Sequence, residues 1–134
     1  MLGALGLSYG HKGMYLEALA VLRKRLEVTN RDPQSLTFIS RVYAQSGDPP
    51  KALQALEEAK EKAKGQTGQA WDISQAYRDL AFGDERYRDE MYRWLDKAYE
   101  ERAMGLVFVS SVELQPFRSD PRFIAFRKKL GLPP

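Results

Sequence analysis

Apolar side chains along this chain recur at helical spacing and are interrupted by short polar breaks. Leu2, Leu5 and Tyr9 fall at i, i+3 and i+7, which places them on one face of an α-helix. After the break His11-Lys12-Gly13, a second stripe runs through Tyr15, Ala18, Leu19, Leu22 and Leu26. The same alternation returns with Leu36, Ile39 and Tyr43, the break Gln45-Ser46-Gly47-Asp48, and then Ala52, Leu53, Leu56 and Ala59. It returns again with Ala70, Ile73 and Tyr77, followed by the helical stretch MYRWLDKAYEERA, in which Trp94 beside Leu95 reads as core. Phe123, Phe126 and Leu130 form a last face, entered through Ser119-Asp120-Pro121 and ended by Gly131. Paired amphipathic helices joined by short polar turns predict antiparallel helix hairpins stacked side by side.

The pairs are repeats of one unit. Tyr9, Tyr43 and Tyr77 are separated by 34 residues each time. Four residues before them stand Leu5, Ile39 and Ile73, and three before stand the small residues Gly6, Ser40 and Ser74. A small residue at that place lets a neighbouring helix come close. Gly13 and Gly47 are also 34 apart, and glycine readily takes the positive φ that ends a helix. Asp32 is placed to cap the third helix, and Pro49 and Pro50 suit a first helical turn. Gly65-Gln66-Thr67-Gly68 separates the second unit from the third.

The third unit is longer. Leu56 aligns with Leu95 and Ala59 with Ala98 at a spacing of 39 residues, so five residues are added after Tyr77 within DLAFGDERYRDE. Such an addition reads as a tolerated surface loop. It also offers Glu85, Arg86, Tyr87 and Arg88 as a lip beside a groove.

This pattern resembles the tetratricopeptide repeat. Leu5-Gly6-x-x-Tyr9 and Gly13-x-Tyr15-x-x-Ala18 match both halves of the family's signature, and the second unit keeps Tyr43, Gly47 and Ala52. The resemblance covers about residues 1–104, with units near 1–32, 33–66 and 67–104. It implies an all-α fold: a right-handed superhelix of three stacked antiparallel hairpins, an α-solenoid. Residues 105–134 then supply an irregular segment and a C-terminal helix that caps the last repeat. The run from Trp94 to Arg102 and the run from Pro116 to Phe123 are similar to the ending of many bacterial proteins of this type. In those proteins the repeats often form the C-terminal part of a larger regulatory protein.

The positions that line the concave side in the family fall here on Leu7 and His11, on Gln34, Thr37, Arg41 and Gln45, and on Trp71, Gln75, Arg78 and Asp79. The resemblance thus implies a protein–protein interaction scaffold, with Arg41 and Arg78 as cationic anchors and Trp71 as an aromatic platform. The partner it suggests is a protein or peptide segment with acidic residues. Gly3 and Leu7 replace the residues that hold chaperone tails in some relatives, so that ligand is disfavoured.

Composition narrows the chemistry. The chain has no cysteine and one histidine, which removes thiolate chemistry and multi-histidine metal sites. No phosphate-cradling loop, H-E-x-x-H or G-x-S-x-G motif occurs, and the paired acids sit on charged helical faces. No catalytic residue, metal or cofactor is nominated. His11 itself reads as a turn or cap residue. The net charge is +3, and Arg118, Arg122, Arg127, Lys128 and Lys129 concentrate basic charge near the C-terminus. That tail could meet a nucleic acid, although such charge is more often a solvated helix face. Self-association as a homodimer is the other alternative. No apolar run is long enough for a bilayer and no export signal is visible, so cytoplasmic is the default expectation. Leu2 already stands at the fourth repeat position, which reads either as a first helix cut from a longer array or as a frayed natural start.

Overall fold

The computed structural model describes residues 2–102 and 117–131. The described residues form α-helices and one 3₁₀ turn. The helices are α1 (Leu2–His11), α2 (Tyr15–Val28), α3 (Pro33–Gln45), α4 (Pro49–Lys62), α5 (Ala70–Gly83), α6 (Arg88–Glu100) and α7 (Pro121–Lys129). The 3₁₀ turn, Glu85–Tyr87, lies between α5 and α6. The irregular segment expected over 105–116 lies outside the described residues.

Local chemistry sets these limits. Asp32 accepts a hydrogen bond from Ser35 N at 3.2 Å and caps α3, whose first residue is Pro33. Asp48 does the same for α4 through Lys51 N at 3.3 Å, ahead of Pro49 and Pro50. Asp120 caps α7 through Arg122 N at 2.9 Å. The first two hairpin turns are copies of each other. Gly13 N donates to Gly10 O and Met14 N to Tyr9 O; 34 residues on, Gly47 N donates to Ala44 O and Asp48 N to Tyr43 O. This closure needs a left-handed residue at the glycine, and Gly13 (φ 78°) and Gly47 (φ 85°) supply it. Space around both is open, so the backbone angle is what selects glycine there.

Helices α1 and α2, α3 and α4, and α5 and α6 pack as hairpins. Each first helix also meets the next one, α1 with α3 and α3 with α5, while α2 touches α3 and α4 touches α5. The repeat columns become layers of core. Leu22, Leu56 and Leu95 are each 0% exposed, and so are Ala18, Ala52 and Met91 at the equivalent places. The small-residue column also does what its size allows. Gly6 lies against Leu22, while Ser40 Oγ satisfies itself on Ala52 O at 2.7 Å. Leu5 departs from its column: it is 44% exposed where Ile39 and Ile73 are buried, because no first helix packs outside α1 among the described residues.

Two apolar clusters result. One joins α2 and α3 around Leu22, Leu26, Leu36, Ile39 and Val42, with Leu7 and Tyr9 against it. The other joins α4, α5, α6 and α7 around Leu56, Ile73, Tyr77, Met91 and Leu95, together with Phe117, Phe123 and Phe126. Tyr43 packs against both. Helix α7 lies on α6 through Phe123 and Phe126, with Tyr99 meeting Phe126 edge-on at 6.5 Å. Trp94 is half-buried and packs against this second cluster, with Lys97 over its ring.

Candidate interaction site

The residues expected to line an open groove divide into two groups. The first forms a buried polar ridge where α3 meets α5. Thr37 is 0% exposed, Arg78 2%, Gln75 4%, Arg41 6% and Asp79 8%. Arg41 Nε donates to Asp79 Oδ2 at 2.9 Å, and Arg78 donates to Asp79 Oδ1 through Nε at 3.1 Å and Nη2 at 2.8 Å. Arg78 Nη1 also donates to Gln75 Oε1, and Gln45 Nε2 donates to Asp79 Oδ2 at 3.3 Å. The anchors expected to stand out toward an acidic partner instead turn onto a carboxylate of their own chain. Burial pushes the Asp79 carboxyl up, but attraction and hydrogen bonds from Arg41 and Arg78 outweigh it and hold the group below its usual range.

The same ridge continues toward the N-terminal ends of these helices. Arg25 Nη2 donates to Gln34 Oε1, and Gln34 Nε2 donates to Asp72 Oδ2 at 3.3 Å. Burial dominates at Asp72 and raises its carboxyl above the ordinary range, despite Gln34 and the charges of Arg41 and Arg25. Trp71 is half-buried and rests against the second apolar cluster, so its ring is partly taken up by packing.

The second group lies at the other end of the first helices, around an open cleft of about 1040 Å³. His11, Gln45, Arg78 and Asp79 of the expected set line it; Leu7, Gln34, Thr37, Arg41, Trp71 and Gln75 do not. Its apolar walls are Tyr15, Pro49, Pro50, Leu53, Phe82 and Tyr87, none of which the groove positions had singled out as contacts. Tyr15 fixes one side by donating its hydroxyl to Gln45 O at 3.0 Å. Gln45 is oriented by Asp79: its amide N–H must face the carboxylate, which leaves Oε1 without a hydrogen-bond partner beside Gly10.

The lengthened turn adds further lining to the cleft. Helix α5 runs on to Gly83, whereas α3 stops at Gln45, its counterpart of Asp79. The extra turn brings Phe82 to the cleft, 51% exposed, with its ring stacked on Phe117 at 5.5 Å and the Arg78 guanidinium 5.7 Å over it. Asp84 then pins the 3₁₀ turn. It accepts from Arg86 N at 3.0 Å and takes the Arg86 guanidinium side-on, Nε at 2.9 Å and Nη2 at 2.6 Å. Those hydrogen bonds hold the Asp84 carboxyl below its usual range. Tyr87 stacks on Tyr77 at 6.5 Å. Of the four residues expected to form a lip, Arg86 and Tyr87 line the cleft; Glu85 and Arg88 do not. The Arg88 guanidinium sits over the Phe117 ring instead.

The basic C-terminal helix is largely engaged within the chain. Arg122 pairs with Asp89 and lies over Tyr92, and Lys129 pairs with Asp96 and lies over Tyr99. Asp120, at its start, faces Arg88 at 3.6 Å. No helix among the described residues is long and apolar enough to cross a membrane. Comparison of the chain with protein-family models, with curated proteins and with solved structures gives no match.

Proposed function

We propose that this chain is a tetratricopeptide-type scaffold that holds a segment of another protein, with the cleft beside α1, α3 and α5 as its seat. The hairpins, their 34-residue glycine turns and the layered leucine column support the repeat reading. The observation that carries the binding reading is the cleft itself. Its volume of about 1040 Å³ stands at the top of the range of roughly 300–1,000 Å³ usual for binding pockets, and its walls are apolar with a few fixed polar groups. In this reading the buried ridge is the rigid floor that holds the first helices in register, and the repeats serve as the docking part of a larger regulatory protein in the cytoplasm.

A photo-crosslinking amino acid placed at Phe82, compared with one at Leu16 on the outer side of α2, tests this in cells. A discrete adduct formed from Phe82 alone, and reproduced with the purified partner, is the expected result. Absence of any adduct specific to Phe82 would remove the reading.

A second reading is pairing of two copies through the first hairpin. It has Leu16 (81% exposed), Val28 (72%) and Leu5 (44%) in its favour. Sedimentation across a concentration series decides it, because a strict monomer at high concentration leaves those side chains without a role.

A further inference from the structure

Resting on the reading of the cleft as a seat for a partner segment, we infer that the lengthened turn after Tyr77 makes this seat selective for apolar, uncharged segments. The chain's own charge balance is the first argument. Among the described residues, the Asp, Glu, Lys and Arg side chains lining the cleft are Arg78, Asp79, Asp84 and Arg86, two of each sign. Each carboxylate among them is already gripped by a guanidinium: Asp79 by Arg78 and, from behind, Arg41; Asp84 by Arg86. A charged occupant would have to compete with pairs formed at short range. Arg41 adds one positive charge behind Asp79, but it is buried and turned onto that carboxylate. Among the described residues each charge at the opening is thus already paired, and an occupant without net charge is favoured.

The walls make the same selection in a positive sense. Pro49, Pro50 and Leu53 from the start of α4 line the cleft together with Phe82 and Tyr87. The last two are present only because α5 overruns and five residues are inserted. They are held stiffly, Tyr87 by Tyr77 and Phe82 by Phe117, and the turn between them is fixed by Asp84. Rigid aromatic walls at a half-open cleft suit the leucine, phenylalanine or tryptophan side chains that anchor a bound segment.

The test uses the full chain and three sets of short fluorescent peptides blocked at both ends. One set combines Leu, Phe and Trp with Ser and Gly; in the others Glu or Lys replaces Ser. Anisotropy titrations at low and high salt are run on wild type and on Phe82→Ser, Pro50→Glu and the outer-face control Leu16→Ser. Pro50 is exposed in the first turn of α4, where an acid suits the helix end, so Pro50→Glu charges the cleft while the helix is kept. The expected result is preference for the uncharged set and affinity unchanged by salt. Phe82→Ser and Pro50→Glu should each weaken binding by about tenfold or more, and Leu16→Ser should have no effect. Preference for the Glu or Lys set, loss of binding in salt, or indifference to both cleft variants would overturn the selectivity while capture stands. A dimer that forms through the cleft and is broken by Pro50→Glu would overturn it as well, by making a second copy the occupant. If no peptide of any set binds, capture in the cleft itself fails.

Discussion

Gly6 and Leu22 meet with no room between them: a Cβ on Gly6 would stand 2.5 Å from Leu22 Cγ. That carbon is a branch point of a fully buried side chain, so it cannot swing aside. Gly6→Ala gains roughly 1 kcal/mol in helix propensity and meets an overpacking cost of about 1–3 kcal/mol. A net loss of stability is expected. Gly83→Ala, with open space around it, should be neutral or gain a few tenths of a kcal/mol. Urea denaturation of both variants checks the contrast, and equal behaviour would contradict the close approach of α1 to α2.

Leu95 tests the shifted register of the third unit. It is 0% exposed, as are Leu22 and Leu56, although it follows Leu56 by 39 residues. Leu95→Ala should cost about 2–5 kcal/mol, comparable with Leu56→Ala. A loss below 1 kcal/mol, as for an exposed leucine, would show that the five-residue offset is wrongly placed.

Asp79 receives both Arg41 and Arg78. Asp79→Ala removes the buried carboxylate that both guanidiniums face and should lower stability by about 3–5 kcal/mol. Because the folded carboxyl is held below its ordinary 3.8, it stabilises the fold above that pH and loses this contribution as pH falls through the folded value. The wild type should therefore weaken in acid more steeply than Asp79→Ala. Parallel stability curves between neutral pH and pH 3 would contradict the pairing.

Asp72 has the opposite sign. Its carboxyl is raised, chiefly by burial, so ionisation costs the folded state stability as pH rises from the ordinary 3.8 through the folded value. Asp72→Asn keeps an acceptor for Gln34 and removes that charge. Thermal melts should show a higher midpoint for Asp72→Asn at neutral pH, with the advantage disappearing in acid. A lower midpoint at neutral pH would mean that Arg25 and Arg41 need the charge.

The helices and their limits were legible because each is specified locally. Asp32, Gly13, Gly47 and Pro49 act within one turn of chain, and the leucine and tyrosine columns repeat at a fixed interval. The burial of Arg41 and Arg78 was not legible, because it depends on pairing between units. Gln34 with Asp72 and Arg41 with Asp79 are both 38 residues apart, one repeat plus one helical turn. That offset is visible only once neighbouring first helices are placed side by side. The insertion after Tyr77 was visible as a change of spacing. Phe82 was missed because a lone aromatic past the end of a repeat column gives no periodic signal.

Tyr43 stands where two separately assembled apolar clusters meet, and the first of them belongs largely to α2 and α3. Such a molecule can open from one end without losing the other. Amide protons of α1 and α2 should exchange with solvent sooner than those of α5 and α6. The cleft straddles that seam, with Tyr15 on the looser side and Phe82 on the firmer one. A segment bound there would slow exchange in helices it never touches, by fastening the two halves to each other.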